Sequence, residues 1–116
     1  MKKIVLFMVV IFFLGNILVW PGHGRTAEYD QGKNLYDDKC QICHGADAKG
    51  NGPAASSFNP RPANLTDPKF WQEKDIDKTI TNTIEHGHGM MPPMGLSPDQ
   101  IKAVIGYMSR AFKSSP

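Results

Sequence analysis

The sequence predicts an all-α domain of three to five helices, interrupted by one long irregular loop. Three observations carry that expectation. Apolar residues recur at helical spacing in three segments, one ending at Cys40, one running from Ile76 to Ile84 and one from Ile101 to Phe112. Between the first two, Gly45 to Pro68 is broken by Gly50, Gly52, Pro53, Pro60, Pro62 and Pro68 and has no apolar period. At the start of that irregular stretch stands Cys40-Gln41-Ile42-Cys43-His44, whose chemically distinctive side chains fall within about one turn of helix.

The N-terminus is set apart from the rest. Met1-Lys2-Lys3 supplies positive charge, Ile4 to Leu14 is uninterruptedly apolar, and Gly15-Asn16, Ile17 to Trp20 and Pro21-Gly22 close the run. That order is the n-, h- and c-region of a secretory signal. Ile4 to Trp20 is just short of the roughly 20 residues that span a bilayer comfortably. The expectation is therefore a cleaved signal over residues 1–27, with a retained membrane anchor as the alternative. Gly22-His23-Gly24 offers small residues where a signal peptidase reads, whereas a cut after Ala27 would put Arg25 at the first of those positions. No cysteine lies between the apolar run and Cys40 to carry a lipid.

Residues 28–116 would then form one domain. Of 13 Lys and Arg, Lys2, Lys3 and Arg25 lie in the leader, leaving 10 against 11 Asp and Glu. A near-neutral domain is not a nucleic-acid binder and projects no strong steering field. Its core would be small for its length. A bulky apolar ligand would supply the missing volume, so the chain is expected to be poorly ordered without one.

Glu28 to Lys39 reads as the first helix, with Gly32, Leu35, Tyr36 and Cys40 on one face. Gly32 inside a helix costs about 1 kcal/mol relative to alanine, and close contact with another helix would explain it. The helix leads into the pentapeptide. Two cysteines with two residues between them and followed at once by histidine form the pattern of covalent haem c attachment. The two thiols reach the vinyl groups of one porphyrin edge while the imidazole turns beneath the ring towards iron. A redox couple, half a zinc site and a plain disulfide are the competing readings. The first lacks its βαβ setting; the second needs two further ligands, and His23, His86 and His88 form no suitable pattern.

In the irregular stretch, Phe58, Leu65, Phe70 and Trp71 are residues of buried type, which argues against a disordered linker and for a loop wrapped around a flat ligand. Pro68 to Trp71 predicts one helical turn capped by Asp67. A further helix begins at Asp75, buries the stripe Ile76, Ile80 and Ile84, and ends at Gly87. After it comes His88-Gly89-Met90-Met91-Pro92-Pro93-Met94-Gly95, with three methionines in five positions. Methionine fills cores adaptably, and its thioether is also a sixth ligand to haem iron. Ser97, Pro98 and Gln100 form a capping box for the last helix, whose stripe is Ile101, Val104, Ile105, Met108 and Phe112.

From Gly32 to Met108 the sequence resembles the bacterial class I c-type cytochromes of the small monohaem kind, which shuttle electrons in the periplasm. The resembling residues are Gly32 and Tyr36, then Cys40 to Gly45, Gly52-Pro53, Arg61-Pro62-Ala63-Asn64-Leu65, Met91-Pro92 and Ile101 to Tyr107. The resemblance implies a compact cytochrome c fold wrapped around one haem c. Cys40 and Cys43 would form its thioethers and His44 the proximal ligand, with the Pro53 carbonyl accepting the imidazole N–H. Gly32 and Tyr36 would pack against the last helix around Tyr107, and Arg61 and Trp71 would approach the haem propionates. Met91, which precedes proline, would be the sixth ligand, with Met90, Met94 and His88 as its competitors.

With both axial positions filled, no site remains for substrate, and the function implied is single-electron transfer rather than catalysis. The partners would be redox proteins, at the membrane only if the N-terminal segment is retained. Three classes stay open at this point: a diffusible periplasmic carrier, a ligand-binding haem sensor or enzyme, and a haem c subunit or anchored domain of a membrane oxidoreductase.

Overall fold

The computed structural model describes residues 23–113. Most of the expected leader, residues 1–22, lies outside them. Among the described residues there are five α-helices and no strand. They are α1 (His23–Lys39), α2 (Gln41–His44), α3 (Pro68–Gln72), α4 (Ile76–His86) and α5 (Pro98–Phe112), with one 3-10 turn at Ala55–Ser57. The all-α expectation holds. None of these helices is long and apolar enough to cross a membrane.

The frame is the packing of α1 on α5. Gly32 lies against α5 so closely that a Cβ there would overlap the Ala103 carbonyl oxygen, as the helical glycine predicts. The approach lets an aromatic cluster close over both sides. Tyr107 meets Tyr29 at 5.2 Å between ring centroids and Tyr36 at 5.6 Å, and Phe112 meets Tyr36 at 5.1 Å. Arg110, in the last turn of α5, stacks its guanidinium over Tyr29. Tyr36, Ile101 and Val104 are the largest fully buried side chains, so the deepest part of the core lies at this crossing.

Local signals set the remaining elements. Ser97 accepts from the Gln100 N–H at 3.3 Å, and the Gln100 side chain accepts from the Ser97 N–H at 2.9 Å, completing the expected capping box. Ser97→Ala is expected to cost about 1 kcal/mol, read as a lower urea midpoint with an unchanged slope. Asp67 caps α3 through the Lys69 N–H at 2.9 Å. Ile80 and Ile84 of α4 are buried, and Ile76 packs at the edge of the same core. The helix ends at Gly87, whose φ of 79° lies in the left-handed region and whose N–H reaches the Thr83 carbonyl.

One boundary differs from the sequence reading. α1 begins at His23 rather than Glu28. His23 to Ala27 has no apolar periodicity to announce a helix, and these residues continue a helix that tertiary contacts stabilise from Glu28 onward.

Candidate haem site

The pentapeptide continues α1 almost without a break. The Cys40 N–H bonds the Tyr36 carbonyl at 2.9 Å, and the N–H groups of Cys43 and His44 both reach the Cys40 carbonyl. One helical turn therefore carries both thiols and the imidazole, as the spacing requires. Gly45, with φ of 88°, ends the turn. Tyr36 then ties the turn to the α1–α5 frame, its hydroxyl donating to the Gly45 carbonyl at 2.7 Å.

Both cysteines are free thiols, Cys40 buried and Cys43 half-buried. Burial, helped by the neighbouring Cys43, pushes the Cys40 thiol up to about 11, so it is a neutral thiol at physiological pH. His44 is held below its ordinary value by burial, which its contact with Ala63 only partly offsets. Among the described residues no group of three or more His, Cys, Asp or Glu gathers to hold a metal.

The irregular loop folds back on the pentapeptide rather than trailing away. Gly50 N–H bonds the His44 carbonyl at 2.8 Å, Gly52 N–H the Cys43 carbonyl at 3.1 Å, and Ala54 N–H the Ile42 carbonyl at 2.9 Å. Residues 61–65 return alongside 48–50, with the Leu65 N–H on the Ala48 carbonyl at 2.8 Å. The His44 Nδ1 then lies 3.2 Å from the Ala63 carbonyl. A carbonyl only accepts, so Nδ1 carries the proton and Nε2 keeps its lone pair. This corrects the expectation for Pro53: Pro53 sits exposed at the turn beside Ala54, and the fold-back delivers Ala63 to the ring instead.

Trp71, expected near the haem propionates, is buried, and its one donor, the indole N–H, bonds the Leu65 carbonyl at 2.7 Å. Arg61 is exposed on the returning loop. On the far side of the sequence, His88 and Met91 exchange two backbone hydrogen bonds of 2.9 Å, and the Met94 N–H reaches the Ile84 carbonyl at 2.9 Å. These bonds fasten the methionine loop to the end of α4. Met91 and Met94 pack against the core, whereas Met90 is 55% exposed and His86 and His88 face solvent.

Residues 27–108 match the family model described as cytochrome c oxidase, cbb3-type, subunit III. The chain belongs to this family of c-type cytochromes. Among its relatives are proteins named cbb3-type cytochrome c oxidase subunit FixP. That of Azorhizobium caulinodans is 36% identical over 88 residues, covering 73% of this chain and 28% of the relative. That of Rhizobium meliloti is 37% identical over 62 residues, covering 53% and 19%. That of a Bradyrhizobium species is 35% identical over 80 residues, covering 66% and 25%. The chain thus spans about a quarter of the length of these relatives.

As a c-type cytochrome of this family, the chain takes one covalently bound haem c. The residues fit that group. Its two cysteines are unpaired and share one helical turn, and the adjacent imidazole has its tautomer fixed with Nε2 available. A ring N–H donated to a backbone carbonyl is the usual second contact of a metal-ligating histidine. Neither the Ala63 carbonyl nor the Tyr36 hydroxyl contact was visible in the sequence. A backbone acceptor carries no side-chain signature, and Tyr36 showed only its helical register.

Proposed function

We propose that this chain relays single electrons through one haem c, held by Cys40 and Cys43, with His44 and Met91 on the two sides of the iron. Bound haem supplies a one-electron ferrous–ferric couple. The observation that carries the reading is the His44 imidazole, protonated at Nδ1 against Ala63 and free at Nε2, one residue from a free thiol. Met91 is the preferred sixth ligand because it precedes proline, packs inward and has its backbone fixed by His88. Met90 points to solvent, which leaves Met94 as the competitor. A thioether from Met91 together with the His44 imidazole would favour the ferrous form and raise the potential. With those two side chains holding the iron, substrate and oxygen would be kept off the metal and transfer would be outer-sphere.

The relatives favour a particular setting. They are named as subunits of a cbb3-type oxidase, which supports a haem domain serving a membrane oxidoreductase over a freely diffusing shuttle. On this reading the apolar run from Ile4 to Trp20 exports the domain and holds it at the periplasmic face of the membrane. The partners are then redox proteins of that membrane.

Two experiments test the proposal. The ferric holoprotein should show the weak red band of sulfur ligation, lost in Met91→Ala and kept in Met94→Ala, and the ferrous form should not take up carbon monoxide. Ready carbon monoxide binding by the wild type would replace electron relay with ligand chemistry. Tagged full-length chain should be recovered in the membrane fraction with an oxidase; recovery as free periplasmic protein would return the reading to a diffusible carrier.

A further inference from the structure

The hydrogen bonds around Leu65 point to a role for Trp71 that its expected contact with haem would have obscured. The peptide at Leu65 is held at both ends: its N–H bonds the Ala48 carbonyl at 2.8 Å, and its carbonyl takes the Trp71 indole N–H at 2.7 Å. Ala48, Leu65 and Trp71 are all buried. Two residues before Leu65 is Ala63, whose carbonyl meets His44 Nδ1 at 3.2 Å. The other side of Ala63 is confined by Gly50, where a Cβ would overlap the Pro62 carbonyl. Between Ala63 and Leu65, the Asn64 side-chain oxygen accepts from the Thr66 N–H at 2.9 Å and its hydroxyl at 2.7 Å, closing a tight local turn.

We infer that Trp71 is a positioning residue for the His44 imidazole, holding the Ala63 carbonyl at the ring N–H through Leu65. This rests on the proposed haem ligation. A bond from the ring N–H to a fixed carbonyl makes imidazole a more basic ligand, and a more basic ligand stabilises ferric iron. Trp71 therefore tunes the couple downwards, against the thioether on the opposite side. The cost of losing the indole N–H falls first on the Leu65 carbonyl, which is left buried and unpaired, and the returning loop then relaxes away from His44.

The test uses the holoprotein carrying Trp71→Phe, which keeps a buried ring and removes the donor. Wild type is first checked for one haem and a histidine-ligated spectrum. The variant should keep both, show a more positive reduction potential, and exchange the His44 ring proton with deuterium faster than wild type. Asn64→Ala, at an exposed position, should shift both readouts in the same direction by a smaller amount. Ile80→Val, a core change outside this chain of bonds, should lower stability and leave both readouts alone. A Trp71→Phe protein that melts earlier with unchanged potential and exchange would make Trp71 merely structural and overturn the inference. Should Trp71→Phe fail to retain haem, unchanged readouts in Asn64→Ala overturn it, and a positive shift there upholds it. A wild type without histidine-ligated haem overturns the functional reading itself, and this inference with it.

Discussion

Replacing both Cys40 and Cys43 by alanine should yield a chain that retains helical signal but no cooperative unfolding transition. The described residues explain why. Outside the α1–α5 crossing the core is thin: the long loop contributes Ala48, Ala55 and Leu65 to it and holds only one 3-10 turn of regular structure. A domain of this size has about 5–15 kcal/mol of stability in total. A ligand bound only by the folded state adds to that by mass action, and a covalent one remains at high effective concentration. Loss of attachment should therefore remove most of the stability, read as a broad, low-amplitude thermal transition in circular dichroism. A sharp melt within a few degrees of the holoprotein would show that the polypeptide core suffices alone.

Gly32→Ala should have the next largest effect, and on the protein scaffold alone. The new Cβ would overlap the Ala103 carbonyl oxygen, and lie 2.7 Å from its carbon and 2.8 Å from the Tyr107 Cβ. Backbone atoms cannot swing aside, so α1 and α5 must separate, loosening the contacts of Tyr29 and Tyr36 with Tyr107 and of Tyr36 with Phe112. Overpacking costs about 1–3 kcal/mol, and each loosened aromatic pair about 0.5–1.5 kcal/mol. The helix-propensity gain of about 1 kcal/mol opposes them. A net loss of about 2–6 kcal/mol follows, or a fall in Tm of roughly 10 °C or more for a domain of this size. Gly106→Ala supplies the contrast, because a Cβ there meets nothing within 4 Å. That variant should be neutral or slightly stabilised. Equal losses at both positions would mean that close helix approach is not what selects Gly32.

The parts of this structure that were legible in the sequence are those written in side chains. Ser97 and Gln100 announced their capping box, Asp67 its cap, the isoleucines of α4 their buried stripe, and Gly32 its close contact. The pentapeptide gave the chemistry of the site through residue type and spacing. What stayed hidden was written in the backbone. The acceptor for His44 is the carbonyl of Ala63, nineteen residues away, and it arrives only because the loop doubles back along residues 48–50. The resemblance to c-type cytochromes had placed that acceptor at Pro53. The bond from Trp71 was hidden for a related reason: its acceptor, Leu65, offers only its main chain. The start of α1 was missed because His23 to Ala27 takes its conformation from the helix that follows.

If Cys40, Cys43 and His44 hold one haem, intact mass spectrometry of protein purified from cells equipped for haem attachment should show a mass increase of one haem, located by proteolysis to the peptide containing Cys40 to His44, with no thiol left to alkylate. Colourless protein of unmodified mass, its two cysteines free or joined as a disulfide, would contradict it.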